Sequence, residues 1–462
     1  MGESLRARLK RIRDAGPPGD RSGGGRSRRV SESKPSSLPD AGTWPGWSSA
    51  GHQVLCRSLT MPLTLPLVLP EGLSFLIPDI ARFNSENQGA MPGVEDILFF
   101  DLETTGLSGG AGTVAFLAAC GRFVSPRTGS AGAPAGEFSA LEITQFLLLD
   151  YPGEVDFLDA VLGSLSSRVL ATYNGKAFDS QILKIRCLMN GMSPPLLSQL
   201  DLLHPSRRLW KQVLPNCSQA LIETAILGLD RSGDLPGSLA PDIWFEFLRS
   251  GGQADRAGQC QRALLGICDH NIKDIFGLAS LFRAFVSIAA APLEARRGFR
   301  CDAGQLALCW RRGVFRASRG ALYASHNQEE TAALLLERAA DDYPYPCLRL
   351  ALDLRACLRR EEARARLLAL RAWPEQAGGK QGCPPRIKAL ALRALSIDAE
   401  KISEWEQALA YIDEALALFP PEQETPRAHL LPLRVKENLE RRRERLLAKV
   451  QLLAKAQREE SP

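Results

Sequence analysis

Paired cysteines are missing from this chain. Its eleven cysteines are scattered singly from Cys56 to Cys383, an odd total with no CxxC, which excludes a disulfide framework or a zinc ribbon. The basic start, MGESLRARLKRIRDAG, is followed by Gly, Pro, Ser and Arg instead of an apolar segment, so no secretory signal is expected. Arg6 stands where a myristoylation site requires Ser or Thr. A membrane-length apolar run is lacking too, because the longest, Leu59 to Pro78, is interrupted by Pro62, Pro66, Pro70 and Glu71. Strong charge of one sign is also absent: a net +5 over 462 residues permits a nucleic-acid partner without naming one. These absences together predict a reduced, cytoplasmic protein with no membrane association.

What is present has the profile of a globular protein. Hydrophobic residues make up 45%, charged residues 24% and aromatics 7%, which excludes collagenous, wholly disordered and polytopic membrane classes. The length allows two to four domains at roughly 100 to 200 residues each. Residues 1–60, rich in Gly, Ser, Pro and Arg, are predicted to be a disordered basic arm, and residues 61–92 a linker. From about Gly93 the texture changes. ILFFDLETTG, GTVAFLAACGRF and ALEITQFLLLD are three strand-type runs with turn signals between them, as in an antiparallel meander. EVDFLDAVLGSL then reads as a helix, RVLATYN as a short buried strand, and KAFDSQILKIRCLMNGM as a helix ending at Asn190-Gly191. Leu264 to Ala290 closes the region with helical spacing, so residues 93–292 predict one α/β domain with a mixed sheet.

Residues 300–462 carry no strand signal and predict an all-helical domain. Pro and Gly breaks divide it into segments that suit stacked helix pairs. In the unit from about Ala389 to Pro420, Leu392, Leu395, Ala408, Ile412, Ala415 and Pro420 fall at the small and apolar positions of a tetratricopeptide repeat, which that segment resembles. A generic helical bundle is the alternative.

Three segments carry chemistry. Four apolar residues precede Asp101, and residues i and i+2 of a strand project from one face, so Asp101 and Glu103 place two carboxylates side by side. Such a pair is costly unless a cation neutralises it, and hard divalent ions choose carboxylate oxygens. Thr104, Thr105 and Gly106 then turn the chain, and Gly109, Gly110 and Gly112 leave the backbone open to a ligand. In TYNGKAFD, Asp179 lies in the first turn of a helix, where read alone it is usually a capping or dipole residue. In CDHNIKD, His270 and Asp274 share one helix face, as a functional or a solvated pair.

Together, DLETTGLSGGAGT, TYNGKAFD and HNIKD resemble motifs I to III of the DEDD-type 3'-5' exonucleases of the ribonuclease H-like superfamily, in the YprB-type branch, over roughly residues 90 to 290. The resemblance implies a ribonuclease H-like fold, with Asp101, Glu103, Asp179 and Asp274 holding two Mg2+ or Mn2+ ions for hydrolysis at a single-stranded nucleic-acid end. It implies His270 as general base, although three residues separate it from Asp274, the spacing at which the other subgroup carries tyrosine. Orienting the water or the phosphate is the alternative role. Tyr173 and Asn174, with Thr104, Thr105 and Gly106, are candidates for substrate contact. Lys176, Lys184, Arg186, Arg207, Arg208 and Lys211 are candidate phosphate cations, His204 is read as structural, and Trp210 and Trp244 as packing residues. LDLLHPSRRLW and GDLPGSLAPDIWFEFLRSG also resemble segments of that branch, with no chemical account from the sequence. The rival expectation is a nuclease-like protein that binds nucleic acid, or a scaffold that meets protein partners through its helical region.

Overall fold

Alternation in ILFFDLET sets the frame of the molecule. Ile97 and Phe99 are buried in one hydrophobic cluster, and Leu98, Phe100 and Leu102 in another. That is the pattern of a central strand covered on both faces. The structure, a computed structural model, describes residues 44–80, 92–106, 112–125, 137–165, 168–250, 254–317, 325–374, 382–419 and 433–459. The strands are β1 (Ser48–Gly51), β2 (Val54–Pro66), β3 (Ile97–Thr104), β4 (Ala115–Val124), β5 (Glu137–Leu148), β6 (Val169–Thr172) and β7 (Ser198–Asp201). They form one seven-stranded mixed sheet in the order β1-β2-β5-β4-β3-β6-β7.

The predicted meander is β3, β4 and β5, paired antiparallel. On the other side of β3, β6 and β7 run parallel to it and to each other. β3 therefore stands where the sheet changes from antiparallel to parallel, and ligands of α/β sheets gather at the carboxyl ends of strands near such switches.

Helices cover both faces. Among the described residues the first eight are α1 (Leu73–Leu76), α2 (Glu154–Leu165), α3 (Asp179–Met189), α4 (Leu203–Trp210), α5 (Gln219–Ala225), α6 (Ala240–Arg249), α7 (Ala254–Ala290) and α8 (Pro292–Gly298). Part of α7 packs on the Ile97/Phe99 face, where Phe282 meets Phe99 edge-on at 5.7 Å. α2 and α6 cover the opposite face, with Phe157 and Val161 in its core and Trp244 stacked on Phe116 at 5.2 Å.

Two boundaries differ from those expected. Residues 48–66, assigned to the arm and linker, are β1 and β2 of the sheet. Pro62 and Pro66 conceal the strand in the sequence. Among the described residues β1 pairs only with residues 54–56 and no other strand lies on that edge of β2, and a bulge falls between Pro62 and Leu65; proline is tolerated at both kinds of place. The rest of the expected arm, residues 1–43, lies outside the described residues. β7 was also unforeseen, its four residues SQLD being too short and polar for a periodic signal.

The second difference is near residue 300, where the core does not break. One hydrophobic cluster runs from Leu65 and Phe99 through Phe285 and Trp310 to Leu395 and Leu446. Trp310 meets Phe75 edge-on at 5.7 Å, and the Trp210 indole N–H donates to the Phe299 carbonyl at 2.8 Å.

Beyond it lie α9 (Ala303–Ala317), α10 (His326–Ala340), α11 (Pro344–Ala356), α12 (Arg360–Arg371), α13 (Pro385–Lys401), α14 (Trp405–Ala417) and α15 (Leu433–Glu459). Each packs against the next in the chain, as stacked helix pairs do. Leu392, Leu395, Ala408, Ile412 and Ala415 are all buried, while Pro420 lies outside the described residues. No described helix is long and apolar enough to cross a membrane.

Candidate active site

Strand alternation carries Asp101 and Glu103 onto the face that bears Ile97 and Phe99, the face crossed by α7. α7 presents Asn271, His270 and Asp274 there, and the Asn271 side-chain amide donates to Asp101 Oδ2 at 2.8 Å. Asp179 arrives from the carboxyl side of β6 as the first residue of α3, buried at the positive end of the helix.

The electrostatics record how close these acids are. Burial, then the charges of Asp274, Asp179 and Glu103, push the Asp101 carboxyl well above the usual range. Burial, then Asp274 and Asp179, push Glu103 up to about 8. Asp179 is raised to about 7, chiefly by burial, with the Asp201 charge adding to it. Carboxylates held this way resist ionising together unless a cation sits among them. Ligand atoms of Glu103, His270 and Asp274 all lie within 4.8 Å of one another. A hard divalent ion fits this donor set of crowded oxygens with one imidazole.

Two hydrogen-bonded networks hold the cluster from opposite sides. From the sheet, Arg57 Nε donates to Gln145 Oε1 at 2.8 Å, Gln145 Nε2 to Asn271 Oδ1 at 2.9 Å, and Asn271 in turn to Asp101. Gln145 and Asn271 are fully buried, and Gln145 Nε2 also donates to the Cys268 carbonyl at 2.8 Å, so both amides are held by protein partners.

The second network comes from the loop between α5 and α6. Arg231 Nη2 lies 2.6 Å from Asp274 Oδ1, its Nη1 2.8 Å from Asp234 Oδ2, and its Nε 2.5 Å from Glu223 Oε2. Asp234 Oδ2 also meets His270 Nδ1 at 2.9 Å. Burial opposes ionisation of Asp234, yet Arg231 and His270 hold its carboxyl below the usual range. Gly277 makes room for this arrangement, because a Cβ there would sit 1.7 Å from Glu223 Oε1. Gly237 comes nearest the cluster itself: a Cβ at that position would lie 3.0 Å from His270 Nε2 and 3.6 Å from Glu103 Oε1.

The structure thus gathers Asp101, Glu103, Asp179, His270 and Asp274, and engages several other candidates elsewhere. The Thr104 hydroxyl donates to the Gly106 carbonyl at 2.9 Å, and the Thr105 hydroxyl accepts from the Val114 N–H at 2.9 Å, so both serve the turn. Tyr173 donates its hydroxyl to the Cys217 carbonyl at 2.5 Å, and burial raises its pKa. Asn174 is exposed, with left-handed backbone at φ 67°. Arg186 is not a phosphate cation: it is buried, with Nε 2.5 Å from Glu154 Oε1. Lys176 pairs with Asp79 at 2.6 Å, whereas Lys184, Arg207 and Lys211 are exposed and Arg208 half-buried. His204 is exposed on α4, and Trp210 and Trp244 are fully buried. Gly112 has open space around it, while Gly109 and Gly110 lie outside the described residues.

The structure also accounts for both segments that sequence chemistry left unexplained. In LDLLHPSRRLW, buried Asp201 accepts from the backbone N–H groups of Asn174 at 2.9 Å and Leu203 at 3.1 Å, fixing the turn that leads to Asp179. In GDLPGSLAPDIWFEFLRSG, Asp234 and Gly237 border His270, and Trp244 fills the core. Arg231 and Glu223 had no sequence signal, because an isolated Arg and Glu fit any solvated loop or helix.

Comparison with known proteins agrees with this architecture. Residues 98–286 match the family model for the RNase H superfamily. The chain is also 34% identical over 206 residues to the uncharacterized protein YprB of Bacillus subtilis (strain 168), a match covering 43% of this chain and 45% of that protein. The chain thus spans about half the length of that relative. With β4, β5, β6, β7 and all of β3 but Ile97 inside the matched residues and the acidic cluster at the end of β3, residues 98–286 form an RNase H-like domain.

Proposed function

We propose that the protein is a divalent-metal-dependent 3'-5' exonuclease that hydrolyses phosphodiester bonds at single-stranded nucleic-acid ends in the cytoplasm. The observation that carries this reading is the convergence of three acids with raised pKa values, Asp101, Glu103 and Asp179, with Asp274 adding its charge to the first two. Such crowding is unfavourable in a metal-free protein and favourable around cations.

Asp101, Glu103, Asp179 and Asp274 would hold two Mg2+ or Mn2+ ions, and His270 borders the same group. Bound there, such ions supply activation of a water and charge stabilisation on the leaving oxygen. The chain's own residues fix the carboxylates. Asn271 occupies Asp101 Oδ2 and Arg231 occupies Asp274 Oδ1, so each acid keeps one oxygen outside these two bonds. Asp201 sets the turn before Asp179. Among the exposed cations, Lys184, Arg207 and Lys211 remain candidates for the phosphate backbone. The DEDD type and the digestion polarity follow the motif resemblance. The consecutive helix pairs of residues 303–459 support a tetratricopeptide-like surface for protein contacts.

The test incubates the full chain with single-stranded DNA and RNA labelled at either end, with Mg2+, Mn2+ or EDTA. Stepwise loss from the 3' end, abolished by EDTA, is expected. Hydrolysis indifferent to EDTA refutes the metal-dependent reading, and stepwise loss from the 5' end refutes the polarity.

A further inference from the structure

We propose, resting on the divalent-ion reading above, that His270 is itself a metal ligand through Nε2, that Asp234 makes it one, and that the site consequently prefers Mn2+ to Mg2+. This differs from the general-base role that the motif resemblance implies.

The two ring nitrogens have different surroundings. Nδ1 lies 2.9 Å from Asp234 Oδ2, and Asp234 is held as an anion by Arg231 at 2.8 Å and by Lys273 Nζ at 3.2 Å. Since a carboxylate can only accept, the neutral ring places its proton on Nδ1 and leaves Nε2 as a bare lone pair. Nε2 faces Asp274 Oδ2 at 3.2 Å and Glu103 Oε1 at 4.0 Å. Nε2 and one oxygen each of Asp274 and Glu103 then offer lone pairs within 4.8 Å of one another, a donor set that a shared cation fits. Separations of 3.2 and 4.0 Å suit donors that each lie about 2.0 to 2.2 Å from one ion.

The remaining contacts agree with a cation at that point. Arg231 takes Asp274 Oδ1 and leaves Oδ2, the oxygen nearer Nε2. Gly237 leaves the space beside Nε2 open, because a Cβ there would stand 3.0 Å away. A histidine that ligates a metal generally donates its other N–H to a carboxylate or carbonyl, which fixes the tautomer and raises ligand basicity. Asp234 supplies that group. An imidazole among oxygens shifts preference from Mg2+ towards first-row transition ions.

Mn2+ serves as the probe in pulsed electron paramagnetic resonance on the full chain, which reads directly bound 14N whether or not the enzyme turns over. The wild type is expected to show coupling from one imidazole. His270→Asp, which replaces nitrogen by oxygen, is expected to lose that coupling and to lower the Mn2+/Mg2+ affinity ratio about tenfold. Asp234→Asn is expected to weaken Mn2+ binding about 10- to 100-fold. Wild-type protein that binds Mn2+ without 14N coupling overturns ligation by His270 and leaves the nuclease reading standing. Protein that binds no divalent ion overturns both. Unchanged Mn2+ affinity in Asp234→Asn overturns the part assigned to Asp234, and the wild-type spectrum decides His270 even where His270→Asp does not fold.

Discussion

Between residues 44 and 298 the interior takes in Gln145, Asp179, Asp201, Glu223 and Asn271, whereas beyond residue 300 the buried polar side chains among the described residues are only Asp302 and Ser396. The two regions share one hydrophobic cluster, so the contrast does not come from separate cores. In the helical region, Ala and Leu at helical spacing fill the interior, and almost every polar group stays at the surface. The α/β region instead buries acids beside one another and then surrounds them with donors. Burying charge is costly unless it is paired, so a fold concentrates it where chemistry requires it. Stability is thus the contribution of the apolar helices and sheet faces, and the acidic cluster opposes it.

The sharpest test of that contrast is Asp101→Asn. Removing one carboxylate from an ion site forfeits several kcal/mol of charge stabilisation, so hydrolysis of labelled single strands is expected to fall about 10³-fold or more. The same change relieves burial of a repelled charge, so the EDTA-treated variant should melt at or above the wild-type temperature. Lower stability at pH 8 would break the assignment of the cluster as opposed to folding.

Leu395→Ala addresses the other region. Leu395 is fully buried, and truncation should cost about 2 to 5 kcal/mol in a denaturant titration while leaving the rate per folded molecule unchanged. Asn271→Ala falls between the two. It leaves the Gln145 amide and Asp101 Oδ2 short of a partner, at about 1 to 3 kcal/mol, and should also lower the rate by loosening Asp101.

The smallest expected effect is on pH dependence. Glu103 at about 8 and Asp179 at about 7 keep protons in the fold that the unfolded chain releases near pH 4. Stability from these two groups is therefore present at low pH and lost as pH rises through 7 and 8. With EDTA the melting temperature should drop by a few degrees between pH 6 and 8.5. Saturating Mn2+ should flatten the drop, and Glu103→Gln should reduce it without metal.

Much of this was legible in the chain. Apolar strand-type runs bounded by turn signals mark β3 to β5, and period 3.6 marks α7 and the helices beyond residue 303, because local geometry writes those patterns directly. The placement of Asp101 beside Glu103, and of His270 one turn before Asp274, follows from strand and helix periodicity. The strand β2 was illegible because its prolines stand, among the described residues, at an unpaired edge and a bulge, features that exist only once its neighbours are placed. Asp234 was illegible for a related reason: it lies 36 residues from His270, and no period links them.

Sequence alone determined the elements with a clear apolar pattern, the buried faces of their strands and which acids share an element, since these depend on neighbours within a few residues. Tertiary structure decided what surrounds those acids. It set Arg231 against Asp274, Asn271 against Asp101 and Asp234 against His270, contacts between distant segments whose strength depends on burial and separation.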